Sequence, residues 1–245
     1  MLKHLSGRQK LAMIPLLLYW PAIFILTHIP LPGELLKDIC ASDKTFHYIM
    51  YLILAFLLWF TINPEKKVNW LKGSVWVAMC TVVVYAALDE WLQGFVNRNP
   101  DVFDFLADLA GAISGFILLS IFPFWPASLV LTAAIIFAFT NYFQNVPSSE
   151  TPLLNTLIHI ITYSVFSLLW IKYMPQHLPL KAPQPKWLIG ALAMPIALLL
   201  VIESFSAFAG RGFNLESIIF SLASIAITVT TIIVWVLLRE SLSSR

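Results

Sequence analysis

Charged residues are scarce in this chain of 245 amino acids: Asp, Glu, Lys and Arg together make up 11% of it. A soluble domain carries about 25% charged residues, and a surface with less than half of that share would aggregate. The composition therefore excludes a soluble enzyme. The net charge is +2, and the basic and acidic residues are distributed unevenly along the chain. This net charge does not indicate nucleic-acid binding, so no nucleic-acid partner is expected.

Cysteine is equally rare, and the two cysteines lie in unlike settings. Cys40 is predicted in a loop and Cys80 in the middle of a helix, which fits neither a disulfide framework nor a zinc site. The sequence also lacks a nucleophile elbow, a zinc-binding helix and a Gly-rich phosphate loop. No motif therefore assigns a reaction class.

Long apolar runs are abundant, since hydrophobic residues make up 59% of the chain. A helix that spans a bilayer needs about 20 mostly apolar residues. The sequence predicts an all-α, polytopic membrane helix bundle of about eight transmembrane helices. The first segment is too long for the apolar core of a signal peptide and lacks a small-residue cleavage site, so it is predicted as a span. The predicted spans cover residues 11–29, 45–63, 70–94, 103–123, 127–144, 153–173, 187–208 and 215–238.

Basic residues divide unevenly between the predicted loops. Because Lys and Arg gather in cytoplasmic loops, the distribution predicts that both termini are cytoplasmic. Among the acids, only Glu65 and Glu240 then fall on the inner face. The inner face receives Lys3, Arg8, Lys10, Lys66, Lys67, Lys72, Lys172, Lys181, Lys186, Arg239 and Arg245, whereas the outer face receives Lys37, Lys44, Arg98 and Arg211.

Several polar and aromatic residues of the first half recur in the same order in the second half. Each half holds four predicted spans, and an even number gives both halves the same orientation, as in parallel repeats. The predicted domains are residues 1–123, which carry the polar site, and residues 124–245, a degenerate second repeat. The matching pairs are His47 and His159, Tyr51 and Tyr163, Glu90 and Glu203, Phe95 and Phe208, and Arg98 and Arg211.

The two halves differ in charge. Where the first half has carboxylates and an amide, the second has uncharged residues, so any chemistry is predicted to belong to the first half. The differing pairs are Asp43 and Asn155, Asp89 and Ile202, Gln93 and Ser206, Asp104 and Ser217, and Asp108 and Ser221.

Three polar groups of the first half are predicted to meet in one pocket at the outer ends of its second, third and fourth spans. Spacings of three and four residues place Lys44, His47 and Tyr51 on one helix face and the acids of the fourth span on another, and Gln93 lies about one turn from Asp89 and Glu90, with Arg98 in the following loop. A charged Asp costs about 2.5–3.5 kcal/mol at the bilayer centre, so such a stripe must face protein, water or a ligand. The three groups are Asp43, Lys44, His47 and Tyr51; Asp89, Glu90, Gln93 and Arg98; and Asp101, Asp104 and Asp108, followed on the same face by Gly111 and Gly115.

A pocket rich in carboxylates favours a cation, which is a divalent metal, a proton or an ammonium group. Carboxylate oxygens with one His suit Mg²⁺ or Mn²⁺, and a bound metal would attract phosphoryl or carbonyl oxygens. Simpler roles remain open, namely a helix cap for Asp43, an ion pair with Arg98 and helix packing for the glycines. The predicted metal ligands are Glu90, Asp104 and Asp108, and the predicted catalytic residues are these three with His47. The predicted substrate-binding residues are Asp43, Lys44, Tyr51, Asp89, Gln93 and Arg98.

The pattern from Asp43 through His47 and Tyr51, continued from Asp89 to Gly115, resembles the VanZ-like family of bacterial membrane proteins. The resemblance covers the first four spans, roughly residues 11–123. It implies an integral protein of the cell envelope, and the family is named for a glycopeptide-antibiotic resistance cluster whose namesake is linked to teicoplanin resistance. The family usually has Asn where this chain has Asp108, so the chain carries an additional carboxylate there.

Three functions are compatible with these features. The favoured one is an enzyme or modifying factor that acts at the extracytoplasmic face on a lipid-linked or cell-wall headgroup, with a metal assisting. A proton- or cation-coupled carrier is an alternative, although the third and fourth spans have few polar side chains at mid-membrane. A non-catalytic partner of envelope machinery is the third, although helix capping does not require a six-acid cluster in one half.

Overall fold

The computed structural model describes residues 7–28, 43–63, 66–96, 101–143, 152–210 and 212–243. Within these ranges the chain forms eight α-helices, one short 3-10 turn and no strand, which confirms the predicted all-α fold. The helices are α1 (Gly7–His28), α2 (Asp43–Ile62), α3 (Gly73–Gln93), α4 (Val102–Ile121), α5 (Phe124–Phe143), α6 (Pro152–Tyr173), α7 (Pro185–Phe208) and α8 (Leu215–Ser243).

Seven of these helices, all except α1, are long and apolar enough to cross a membrane. In α1 the apolar stretch is shorter and covers Met13–His28. Seven predicted spans are therefore confirmed by length and hydropathy, whereas the first span and the cytoplasmic termini stay predictions. Large apolar side chains such as Val84, Ile189 and Leu200 are exposed along the helices. Such exposure is unfavourable in water and favourable in the lipid of a membrane. The chain is a multi-pass membrane protein.

The chain divides into two compact units, residues 1–127 and residues 128–245. In the first unit α2 makes its most extensive contact with α4. The two helices run parallel, because His47 of α2 contacts Asp108 of α4 and, further along both helices, Ala55 lies beside Gly115. The predicted division after residue 123 stays a prediction.

Two glycines of α4 allow its close approach to α2. A Cβ atom at Gly111 would collide with the backbone carbonyl of Tyr48. A Cβ atom at Gly115 would lie 3.0 Å from the Cβ of Ala55 and 3.2 Å from the carbonyl oxygen of Leu52. The spacing of these small residues therefore sets the distance between the two helices that carry most of the candidate site.

Replacing Gly111 with Ala is expected to lower the free energy of unfolding by about 1–3 kcal/mol, because the backbone of α2 must move to admit the methyl group. Gly73→Ala is the matched control, since no heavy atom lies within 4 Å of a Cβ at that position. Thermal unfolding in detergent would compare the two variants. Equal stability of both would contradict the close packing of α2 on α4.

The second unit has a polar seam between α6 and α8. Asn155 Nδ2 donates to Ser217 Oγ at 3.1 Å, and His159 Nδ1 lies 3.0 Å from Ser221 Oγ. The Ser221 hydroxyl donates to the backbone carbonyl of Ser217, so it accepts the bond from His159. Beside the seam lies an apolar core that includes Tyr163, Phe166, Leu199, Ile202 and Ile225.

Candidate functional site

The centre of the candidate site is a buried pair formed by His47 and Asp108. His47 lies in the second turn of α2 and Asp108 in the second turn of α4, and the parallel course of the helices brings these turns together. His47 Nδ1 lies 2.9 Å from Asp108 Oδ1, and both side chains are fully buried. A carboxylate in this position orients the imidazole and favours the proton on Nδ1. Because Nε2 points away from Asp108, a cation held by both residues would take Nδ1 as its nitrogen ligand and replace that proton.

Glu90 joins this pair from the last turns of α3. Ligand atoms of His47, Glu90 and Asp108 all lie within 4.8 Å of one another, and all three residues are buried. The backbone N–H of Asp101 donates to Glu90 Oε2 at 2.9 Å, which fixes the end of α3 against the start of α4. Glu90 Oε1 and Asp108 Oδ2 are buried and have no hydrogen-bond partner within the described ranges.

This arrangement fits a divalent cation. A buried carboxylate oxygen without a partner is costly, and a cation between Glu90 Oε1 and Asp108 Oδ2 would satisfy both oxygens. Two carboxylates and one imidazole form a mixed oxygen and nitrogen donor set, which suits Mn²⁺ and Zn²⁺ and also, through its oxygens, Mg²⁺. In the part of the chain that the structure describes, this is the one group of three or more such residues with converging ligand atoms.

Asp89 fastens α1 to α3 beside the three-residue group. The Thr27 hydroxyl donates to Asp89 Oδ1 at 3.0 Å, and Gln93 Nε2 donates to Oδ2 at 3.3 Å. His28 Nδ1 lies 3.6 Å from Asp89 Oδ1. Thr27 was not predicted from the sequence, and its only signal was a polar Thr-His pair that ends the first apolar segment. Oδ1 of Asp89 therefore joins α1 to α3, whereas Oδ2 accepts a bond from Gln93 within α3.

Lys44 lies at the rim of the site and binds two acids of α4. Its ammonium group lies 2.9 Å from Asp101 Oδ2 and 3.3 Å from Asp104 Oδ1, with about half of the Lys44 side chain exposed. Asp101 also caps α4, since its Oδ1 accepts the backbone N–H of Phe103. The Lys44 ammonium and this backbone bond hold the pKa of the Asp101 carboxyl below its usual range, so it is ionised at neutral pH.

The structure brings some of the predicted site residues together and separates others. Glu90 and Asp108 of the predicted metal ligands meet at the centre together with His47, whereas Asp104 is paired with Lys44 at the rim. Tyr51 is fully buried, and none of the described residues forms a hydrogen bond with its hydroxyl. Arg98 and the side chain of Asp43 lie outside the described residues.

The second unit lacks one of the two carboxylates of this centre at the corresponding sequence position. His159 faces the hydroxyl of Ser221, where His47 faces the carboxylate of Asp108. Glu203 corresponds to Glu90 and is buried, and its carboxylate oxygens have no hydrogen-bond partner among the residues that the structure describes. Glu203 therefore offers a single carboxylate, which is a matched control position for Glu90.

Comparisons with known proteins agree with the resemblance seen in the sequence. Residues 7–123 match the VanZ/LLP1 family. This range contains α1 to α4 and every residue of the candidate site. Neither the curated proteins nor the solved structures gave a match to the chain.

Proposed function

Residues 7–123 are VanZ-like, and on that premise we propose that the chain binds a divalent cation, such as Mn²⁺ or Mg²⁺, between His47, Glu90 and Asp108. The bound cation is used to bind or modify the headgroup of a lipid-linked or cell-wall substrate. The protein does this in the plasma membrane of a bacterial cell, at the extracytoplasmic face.

One observation carries the proposal: two carboxylates and an imidazole converge in a buried site, and two of the carboxylate oxygens have no hydrogen-bond partner among the described residues. An unsatisfied buried acceptor costs about 1–3 kcal/mol, and more when it is charged. Helix capping does not account for these groups, because the cap of α4 is Asp101. A cation bound between the helices would ligate these oxygens, and its attraction to the two carboxylates would offset the cost of burying them.

Each neighbouring residue has a defined part in the proposal. His47 ligates the cation through Nδ1, in place of the proton that Nδ1 otherwise shares with Asp108, and Asp108 orients the ring and offers a carboxylate oxygen to the cation. Asp89 positions α1 through Thr27 and does not bind the cation. Lys44, held by the rim acids Asp101 and Asp104, is the positive group that an anionic headgroup meets first.

The extracytoplasmic location rests on the distribution of basic residues, which places the ends of α1 and α3 and the starts of α2 and α4 outside. A headgroup of a cell-wall precursor is accessible on that side. A contribution to glycopeptide resistance is part of the same proposal, because a change in such headgroups alters the target of these antibiotics.

We also propose that the two units derive from one repeat, of which only the first keeps the cation site. His47 faces Asp108 and His159 faces Ser221, each pair joining the second and fourth helices of its unit. At Gly111 a side chain would collide with the carbonyl of Tyr48, whereas the hydroxyl of Ser224 donates to the carbonyl of Ile160. These parallels support a common origin for the two units.

Thermal unfolding of the detergent-purified protein with Mn²⁺, Mg²⁺, Ca²⁺ and Zn²⁺ tests the cation site. A ligand at about 100 times its Kd stabilises the folded protein by about 2.7 kcal/mol, which raises the unfolding temperature measurably. We expect a rise with at least Mn²⁺ in the native protein and in Asp104→Asn, and no rise in Asp108→Asn. Asp104→Asn is the control, because Asp104 binds Lys44 at the rim.

Two results would contradict this account in different ways. No rise with any of the four ions would exclude the cation site at the concentrations used. Loss of the rise in Asp104→Asn as well as in Asp108→Asn would show that the site includes the rim rather than the three central residues alone.

A further inference from the structure

An apolar groove runs along the lipid-facing side of α3 towards the candidate site. It has a cavity volume of about 640 Å³, and α1 contributes one wall through Trp20. The groove-lining residues of α3 extend from Trp76 to Leu88, which at 1.5 Å per residue is a length of about 18 Å. Leu88 is followed directly by Asp89 and Glu90, so the groove ends where the polar site begins.

Tyr85 connects the groove to the site. Its ring forms part of the groove and contacts Trp20 edge to face, with 5.3 Å between the ring centroids. The same ring stacks on Tyr51, with 5.9 Å between the centroids. Both tyrosines lie near the buried acids Asp89 and Asp108.

The hydroxyl groups of Tyr51 and Tyr85 are both buried, and neither has a hydrogen-bond partner in the part of the chain that the structure describes. A buried Tyr hydroxyl normally donates to an acceptor. Two hydroxyl donors beside a cation site are suited to bind an anionic headgroup, because the cation and the phenol hydroxyls both attract its negatively charged oxygens.

From these features we propose that the ligand is a phosphorylated lipid with one long aliphatic chain in the groove. The phosphate oxygens accept hydrogen bonds from Tyr85 and Tyr51 and ligate the cation held by His47, Glu90 and Asp108. This inference rests on the proposed cation site and adds the class of ligand and its route of entry. The lipid enters sideways from the bilayer, because α3 is a membrane-spanning helix and the groove opens along it.

Titration calorimetry with Mn²⁺ at a fixed detergent concentration, with hexadecyl phosphate and butyl phosphate as probes, tests the proposal. The probes share a headgroup and differ in chain length. Val84→Trp would fill the groove. Val201→Trp is the control, because Val201 is similarly exposed, at 65% against 57% for Val84, and lies in α7 rather than in the groove. We expect Val84→Trp to weaken hexadecyl phosphate binding about tenfold, the loss from about two methylene groups left unburied. Butyl phosphate binding is expected to be equal in all three proteins.

Cys80 gives a second measurement that does not depend on how a new Trp is tolerated. It lines the groove and is exposed, so alkylation of its thiol in a Cys40→Ser background reports whether the groove is occupied. Hexadecyl phosphate with Mn²⁺ is expected to slow the alkylation, and butyl phosphate with Mn²⁺ is not.

The outcomes separate this inference from the cation site. If Mn²⁺ stabilises the protein but hexadecyl phosphate neither binds more tightly than butyl phosphate nor protects Cys80, the groove is not the lipid site and the cation site stands. If Mn²⁺ has no effect on unfolding, the cation site itself is wrong, and the lipid proposal is overturned with it.

Discussion

Replacing Glu90 with Gln is expected to weaken Mn²⁺ binding by at least about 100-fold. Changes to residues that merely support metal ligands cost about 10- to 100-fold, and Glu90 is proposed to be a ligand itself. The Asp101 N–H requires an acceptor, which the amide oxygen of Gln would supply. The amide NH₂ group would then take the place of Glu90 Oε1 and point donors at the cation.

Glu203→Gln is the matched control for this prediction. Glu203 is also a buried Glu near the end of a spanning helix. Its two carboxylate oxygens have no hydrogen-bond partner among the described residues. The substitution is chemically identical, but the second unit has Ser221 where the first has Asp108. Mn²⁺ affinity measured by electron paramagnetic resonance titration should be unchanged in Glu203→Gln. An equal loss in both variants, or no loss in Glu90→Gln, would contradict the assignment of Glu90 as a ligand.

Replacing Asp89 with Ala is expected to lower the free energy of unfolding by about 1–3 kcal/mol. The substitution removes the acceptor for the buried Gln93 amide, and a buried donor that loses its partner costs about 1–3 kcal/mol. It also removes the bond from α1 to α3, because the Thr27 hydroxyl keeps only the carbonyls of Ile23 and Phe24 in its own helix as acceptors. The attachment of α1 to α3 weakens in consequence. Chemical or thermal unfolding in detergent measures the change.

Asp89→Asn distinguishes the hydrogen bonds from the charge. Its amide oxygen keeps an acceptor for Thr27, and Gln93 can turn its own amide to accept from the new NH₂ group. Asp89→Asn should therefore be much closer in stability to the native protein than Asp89→Ala. Asp89→Ala with native stability would show that Thr27 and Gln93 do not depend on this carboxylate.

Apolar run length predicts the helices, and polar spacing predicts which side chains share a helix face. The spacing of Lys44, His47 and Tyr51 predicts one face of α2, and that of Asp104 and Asp108 predicts one face of α4, because helical periodicity is a local property. The lengths of the apolar runs likewise predict seven helices that the structure contains. These features need no knowledge of tertiary contacts.

The partners of individual residues could not be predicted in the same way. Asp104 and Asp108 share a face, yet Asp104 binds Lys44 at the rim and Asp108 binds His47 one turn deeper. That difference depends on how far α2 and α4 are shifted along each other. The contact of Thr27 with Asp89 depends on how α1 docks, and periodicity identifies a face of a helix but not the helix that covers it.

The central claim is that His47, Glu90 and Asp108 hold one divalent cation. The most direct test is pulsed electron paramagnetic resonance of Mn²⁺ bound to protein whose histidines are labelled with ¹⁵N. The account predicts one bound Mn²⁺ with hyperfine coupling to a single histidine nitrogen, and loss of that coupling in His47→Gln but not in His159→Gln. Bound Mn²⁺ without nitrogen coupling, or a coupling that persists in His47→Gln, would contradict it.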